Sequence, residues 1–312
     1  LATKQSIWNA SHSIGAGLIS VICGFLLKHY GYSAWQLCFA VPAAIALVGA
    51  VALFFTLKDT PSSVGLPEIE DMNKDEKSED KTSDASLADN MSGKSFKSFV
   101  NRMVFANPLI WILAVSNFCI YVVRFTILDW GATFLTQYKG MEISTAGTVV
   151  AASELVGGIA GMLLAGWFTD KFMKSRAHRT CFICTVGATL SFFLFWKSPA
   201  GMPWLSAIFI CLSSFFIYGP QALLGTSASQ QATKHACATA NGILGIFGYA
   251  STAISGVTFG YLAEHFGWDS VFLVSVIIGL VGAAVVAFMW KAPADGYAKA
   301  EKVMAEITGT EK

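Results

Sequence analysis

Between Ser270 and Trp290 the chain carries no charged residue. About 20 consecutive apolar residues, rising 1.5 Å each as a helix, match the roughly 30 Å hydrocarbon core of a bilayer. Inside lipid a segment must satisfy its own backbone N–H and C=O groups, so such a run crosses as a helix. Seven more stretches share this character: Ser6–Leu27, Trp35–Leu57, Leu109–Leu128, Ser144–Thr169, Thr180–Trp196, Trp204–Thr226 and Ala238–Ala263. Only 13% of the 312 residues are charged, about half the share of a soluble domain. That is too little charge to cover a water-facing surface. The fold class expected is an all-α membrane bundle with eight transmembrane helices, and its main solvent is the bilayer. A net charge of +1 gives no reason to expect a nucleic-acid partner.

The spans are unevenly spaced. Residues 58–106 form a polar linker, and ten of the chain's 20 acidic residues lie between Asp59 and Asp89. Such a segment cannot bury enough apolar surface to order itself, so flexibility is expected there. Its end, from Ser95 to Val104, alternates Phe, Val and Met with Lys and Arg. It reads either as a short amphipathic helix lying on the membrane or as a solvated approach to the next span. With the linker placed in the cytoplasm, 17 Lys and Arg residues fall inside and 3 outside. That asymmetry orients the bundle with linker and C-terminus cytoplasmic. The division expected is residues 1–57, then the linker 58–106, then a six-helix half over 107–312. Two spans, a linker and six spans make sense as part of a six-plus-six protein whose first four helices precede Leu1. That is the layout of the major facilitator superfamily, which this chain resembles.

A few polar residues stand out inside the apolar runs. Arg124 lies well within a span, where a lone charge costs several kcal/mol unless paired or hydrated. Its planar guanidinium is the side-chain fork best suited to phosphate or carboxylate. Tyr121, three residues earlier, shares its face. Glu154 in the next span offers three roles: a neutralising partner for Arg124, a proton carrier, or a helix-pairing anchor. In the first span Trp8 and His12 are one turn apart. A mid-membrane His can bind an anion when protonated, or simply pack. Tyr218 and Tyr249 sit near small-residue ridges and could turn hydroxyls toward a central cavity. Gly157 and Gly161, and Gly256 and Gly260, are spaced for close helix contact, and Gly242, Gly245 and Gly248 line one side of a helix. Asp170 and Lys171 close the string Gly166-Trp-Phe-Thr-Asp-Lys, at a helix end where a carboxylate could make and break bonds to a neighbouring helix as halves rock. Seven cysteines are scattered through apolar runs. The pair Cys181 and Cys184 has no second ligand pair, so packing is expected rather than metal or redox chemistry.

Together these strings resemble the organophosphate:phosphate antiporters, a family that includes glycerol-3-phosphate and hexose-6-phosphate transporters and a related membrane sensor. The landmarks are Trp8-Asn-Ala-Ser-His12, Lys58-Asp-Thr-Pro-Ser-Ser-Val-Gly-Leu-Pro67, Tyr121-Val-Val-Arg124, Leu128-Asp-Trp130, Gly166 to Lys171, Tyr218-Gly-Pro-Gln221, Ile246-Phe-Gly-Tyr249 and Phe266-Gly-Trp268. The resemblance implies a bacterial inner-membrane protein, monomeric, without cofactor or metal, and not an enzyme. It implies that Arg124 grips phosphate, that His12 and Trp8 stand in the same site, and that Tyr121, Tyr218 and Tyr249 face the cavity. The exchange implied is a phosphorylated metabolite against inorganic phosphate. A second arginine of the family's site belongs to its first helix, outside this chain. The uncharged run Gly242 to Tyr249 is closer to the glycerol-phosphate transporters or the sensor than to the hexose-phosphate type.

Overall fold

The computed structural model describes residues 2–58, 61–65 and 93–309. The acidic part of the linker, residues 66–92, lies outside the described residues, and with it most of the segment expected to be flexible. The described secondary structure is helical throughout. Ten helices are used below. They are α1 (Ala2–Tyr30), α2 (Leu37–Thr56), α3 (Gly93–Val100), α4 (Pro108–Gln137), α5 (Ile143–Phe172), α6 (Ala177–Lys197), α7 (203–232), α8 (234–266), α9 (Trp268–Ala287) and α10 (Tyr297–Thr308).

Among the described residues, six helical stretches are long and apolar enough to cross a membrane. One of them, Pro203–Phe266, is α7 and α8 joined end to end. The break is Thr233, at φ 62° and ψ 174°. That is a backbone region almost reserved for glycine. The two helices fold back on one another there: Asn241 of α8 donates to the Ser229 hydroxyl of α7 at 2.7 Å. The sequence expectation of two spans with a turn near Lys234 agrees with this hairpin. The first helix, 29 residues long, also has the length of a span.

The chain groups into two compact units, Leu18–Ser92 on the one hand and Leu1–Gly17 with Gly93–Lys312 on the other. The smaller unit is a helical hairpin. Its turn is a short 3-10 segment, Tyr32–Ala34. The Cys23 and Cys38 thiols each reach the other's carbonyl, at 3.6 and 3.9 Å. No residue of α2 is buried, and an all-apolar helix in that state needs lipid or other helices around it.

In the larger unit α4 begins at a defined cap. The Asn107 side chain accepts from the Leu109 amide, and Pro108 occupies the first turn, where its missing N–H costs nothing. The helix runs on to Gln137, nine residues past the expected apolar limit. Glycines then set which helices touch. A Cβ on Gly157 or Gly161 of α5 would overlap the Cys211 or Phe215 carbonyl of α7. Those backbones are therefore in direct contact, as the Gly-x-x-x-Gly spacing led us to expect. The second pair behaves differently. Gly260 meets the Trp130 ring and Gly248 meets Asn117 and Tyr121, all on α4, while Gly256, Gly242 and Gly245 face open space. The outer ends of α4, α6 and α9 meet in an aromatic core of Phe134, Phe192, Phe195, Trp196 and Phe272. Above it Lys139 donates to the Trp196 carbonyl at 3.1 Å and to the Ser198 carbonyl.

At the opposite end, α3 corrects one expectation. It is a helix that continues into a π turn, Asn101–Phe105. Much of its apolar side packs inside the protein rather than on a surface. Phe99, Met103 and Val104 are fully buried in the protein, with Phe99 edge-on to His235 at 6.4 Å. The exposed Arg102 pairs with Glu306 of α10. The amphipathic pattern is satisfied by protein because α10 and the α7–α8 turn lie against it.

Candidate substrate site

Arg124 sits mid-way along α4 and is 6% exposed. α4 buries 16 of its residues against neighbours, so its polar side chains must find partners within the bundle. Arg124 finds them on two helices. Its Nη2 donates to the Tyr218 hydroxyl of α7 at 3.1 Å. That hydroxyl in turn donates to the Glu154 carboxylate of α5. Nη2 and Glu154 Oε2 are 4.0 Å apart, a long ion pair bridged by the tyrosine. Glu154 stands on a π turn, Ser153–Gly157, inserted into α5. An extra residue in a helical turn re-aims the side chains around it, and such turns are frequent at functional sites.

Three rings surround the guanidinium. Its carbon is 5.2 Å from the Tyr218 and Phe125 ring centres and 5.7 Å from that of Tyr121. Their negative faces add to the stabilisation of a charge that has left water. Tyr121 also meets the Tyr249 ring of α8, edge-on at 6.2 Å. Gly248 makes that approach possible, since a Cβ there would press on Tyr121 and on Asn117. Asn117 ties the same two helices by donating to the Leu244 carbonyl at 2.8 Å.

The cluster is charge-balanced, but its hydrogen bonding is incomplete. A guanidinium has five N–H donors. The Arg124 Nε is buried and has no partner among the described residues. Leaving such a donor unsatisfied costs about 1–3 kcal/mol. An incoming acceptor would therefore find an oriented donor already out of water.

Of the residues expected in the site, Arg124, Tyr121, Tyr218 and Tyr249 are brought together, with Glu154 among them. Tyr218 is fully buried, whereas Tyr249 presents an exposed ring. His12 on α1 is exposed. Trp8 is 75% exposed and belongs to no ring pair among the described residues. Asp170 and Lys171 lie elsewhere, at the far end of α5. Asp170 accepts from the Thr3 amide at 2.9 Å, the Thr3 hydroxyl at 2.8 Å and the Ala2 amide at 3.3 Å. It thus ties the end of α5 to α1 through three hydrogen bonds. Lys171 rests over the Trp167 ring at 4.8 Å. Sequence reasoning passed over Phe125 and Asn117. Asn117 is one turn before Tyr121 and two before Arg124, and its place on that face was the available signal. Among the described residues no group of three His, Cys, Asp or Glu could hold a metal ion. Cys181 and Cys184 are buried on α6, with the Cys184 sulfur lying against Gly219.

The Major Facilitator Superfamily model matches residues 1–256 and 176–307. Among curated proteins the chain is 31% identical over 294 residues to the Chlamydia trachomatis "Probable hexose phosphate transport protein", covering 93% of this chain and 64% of that one. It is 31% identical to the Bacillus subtilis "Glycerol-3-phosphate transporter", covering 92% of this chain and 63% of that protein. The Salmonella typhimurium "Membrane sensor protein UhpC" is 30% identical over 89% of this chain and 61% of its own length. The chain thus spans a little under two thirds of the length of these relatives.

Proposed function

Because this chain belongs to the major facilitator superfamily and is a multi-pass membrane protein rather than an enzyme, we propose that it forms part of a secondary transporter that exchanges a phosphorylated small metabolite for inorganic phosphate by alternating access. The observation that carries the reading is the buried Arg124 with its unpartnered Nε and its bridged, long contact to Glu154. A phosphate monoester brings about −1.5 to −2 charges at pH 7 and several acceptor oxygens. It can take the Nε donor and compete with Glu154 for the guanidinium. Inorganic phosphate offers the same oxygens, so either partner of an exchange can use one site.

In this reading residues 1–57 are the last two helices of an N-terminal half, 58–106 the central linker and 107–312 the C-terminal half. The linker and C-terminus face the cytoplasm of a bacterium, and the protein works as a monomer. His12, Trp8, Tyr121, Tyr218 and Tyr249 line the substrate path. The contact of Asp170 with α1 is a closure between helices that breaks when the halves rock, with Lys171 at the membrane surface beside it. The test is counterflow of labelled phosphate in vesicles holding the full-length protein, with glycerol 3-phosphate and hexose phosphates as competitors. Saturable exchange that these esters inhibit is expected. Phosphate movement insensitive to every ester would refute the reading.

A second reading is a sugar-phosphate sensor of the same fold that acts through a partner kinase. Its support is the similarity to the protein named as a membrane sensor. Binding of the ester without any exchange in the same vesicles would favour it.

A further inference from the structure

A cavity of about 290 Å³ opens on the side of the larger unit between α5, α6 and α7. Leu164, Trp167, Phe168, Ile183, Phe215 and Phe216 form its walls. Leu164, Trp167 and Ile183 are 50%, 45% and 38% exposed, so the groove faces outward. On this chain the groove is open to lipid in a membrane. Of its polar lining groups, the Thr180 hydroxyl is already the hydrogen-bond partner of Thr169 at 2.7 Å, which leaves the Trp167 indole N–H and the weakly polar Cys184 thiol. A water needs two to four polar partners. The rest of the lining is apolar, and its chemistry fits a hydrocarbon chain.

The end of the groove nearest the α5–α6 turn is basic. Lys171 follows Trp167 by one helical turn on α5, and Arg176 precedes Thr180 by the same interval at the start of α6. Both helices therefore carry a cation just beyond the apolar walls. Lys171 is exposed, with its Nζ over the Trp167 ring. Arg179 is committed elsewhere, donating to the Trp290 carbonyl at 3.0 Å. Neither Lys171 nor Arg176 has a carboxylate within ion-pair distance among the described residues. Trp167 adds the aromatic residue typical of the headgroup level.

We propose that this groove is a binding site for one anionic phospholipid, with an acyl chain between α5, α6 and α7 and the headgroup phosphate on Lys171 and Arg176. The site is separate from Arg124 and does not depend on what the protein transports. An apolar slot alone would accept any acyl chain. The two cations, with no carboxylate partner among the described residues, make the preference one for net negative charge, because a zwitterionic headgroup returns part of the attraction.

The test is intact-mass spectrometry of the delipidated chain in mild detergent, given equimolar dioleoylphosphatidylglycerol and dioleoylphosphatidylcholine. Preferential retention of one phosphatidylglycerol is expected. Lys171→Gln with Arg176→Gln should weaken that retention by roughly 30-fold, about fivefold per cation. Ile183→Trp fills the groove with both charges intact and should also expel the lipid. Leu164→Trp serves the same purpose from the other wall should the first variant lose its fold. Lys97→Gln, an exposed cation on α3, should change nothing. Equal retention of the two lipids, or full retention by the double variant or by both groove-filling variants, would overturn the proposal. So would competition by glycerol phosphate as strong as that of the intact lipid.

Discussion

Replacing Arg124 by lysine keeps a positive charge in α4 and removes the fork. In the structure the guanidinium holds Tyr218 through Nη2 and keeps Nε free. If phosphate is gripped there, two parallel N–H donors reach two of its oxygens. A lysine offers a point charge on a flexible stem, and one of those charge-assisted bonds is lost. Such a bond contributes about 1.5–3 kcal/mol, so binding of both the ester and inorganic phosphate should weaken by roughly 10- to 150-fold. The competing role, neutralising Glu154, has its own magnitude. Two unit charges 4.0 Å apart attract by about 4 kcal/mol at an effective dielectric constant near 20, before desolvation. A lysine would retain most of that attraction, so Arg124→Lys would then be mild. Arg124→Met with Glu154→Gln would restore function, since both buried charges disappear together. The assay is phosphate binding and exchange by the full-length protein carrying each variant, after membrane expression has been matched. Near-normal binding in Arg124→Lys, or rescue by the double change, would refute the clamp.

Three further outcomes are expected. Gly161→Ala places a methyl group against the Phe215 carbonyl and should destabilise the bundle by about 1–3 kcal/mol, read from denaturant unfolding in detergent; an unchanged midpoint would show that α5 and α7 are not in backbone contact. Asp170→Asn makes neutral the charge-assisted bonds from Ala2 and Thr3 and should cost about 1 kcal/mol locally, seen as faster hydrogen exchange at Ala2 and Thr3 with the rest of the chain unaltered. Lys139→Met strips the Trp196 and Ser198 carbonyls of their donor and should cost about 1–3 kcal/mol of thermal stability, with Lys139→Arg recovering part of it.

The hydropathy pattern located the crossing helices, because in lipid a long apolar segment has only one way to satisfy its backbone. It also singled out Arg124 and Glu154 as charges that need partners, and the tyrosines near them as polar groups in apolar surroundings. What a one-dimensional pattern cannot contain is which face meets which. That Tyr218, 94 residues from Arg124, is the bridge to Glu154 follows from α7 lying beside both α4 and α5. The π turn that aims Glu154 has no distinctive residues, and the Thr233 break lacks the glycine or proline that marks most sharp turns. Two glycine pairs with the same spacing have different fates: Gly157 and Gly161 meet a backbone, whereas Gly256 faces open space. The amphipathic stretch before α4 could by its pattern have lain on the membrane or been a solvated approach to the span, since a pattern does not name what meets an apolar side. The neighbouring α10 and the α7–α8 turn decided for protein. Local chemistry specifies what each segment needs, and only the packing of distant segments determines what supplies it.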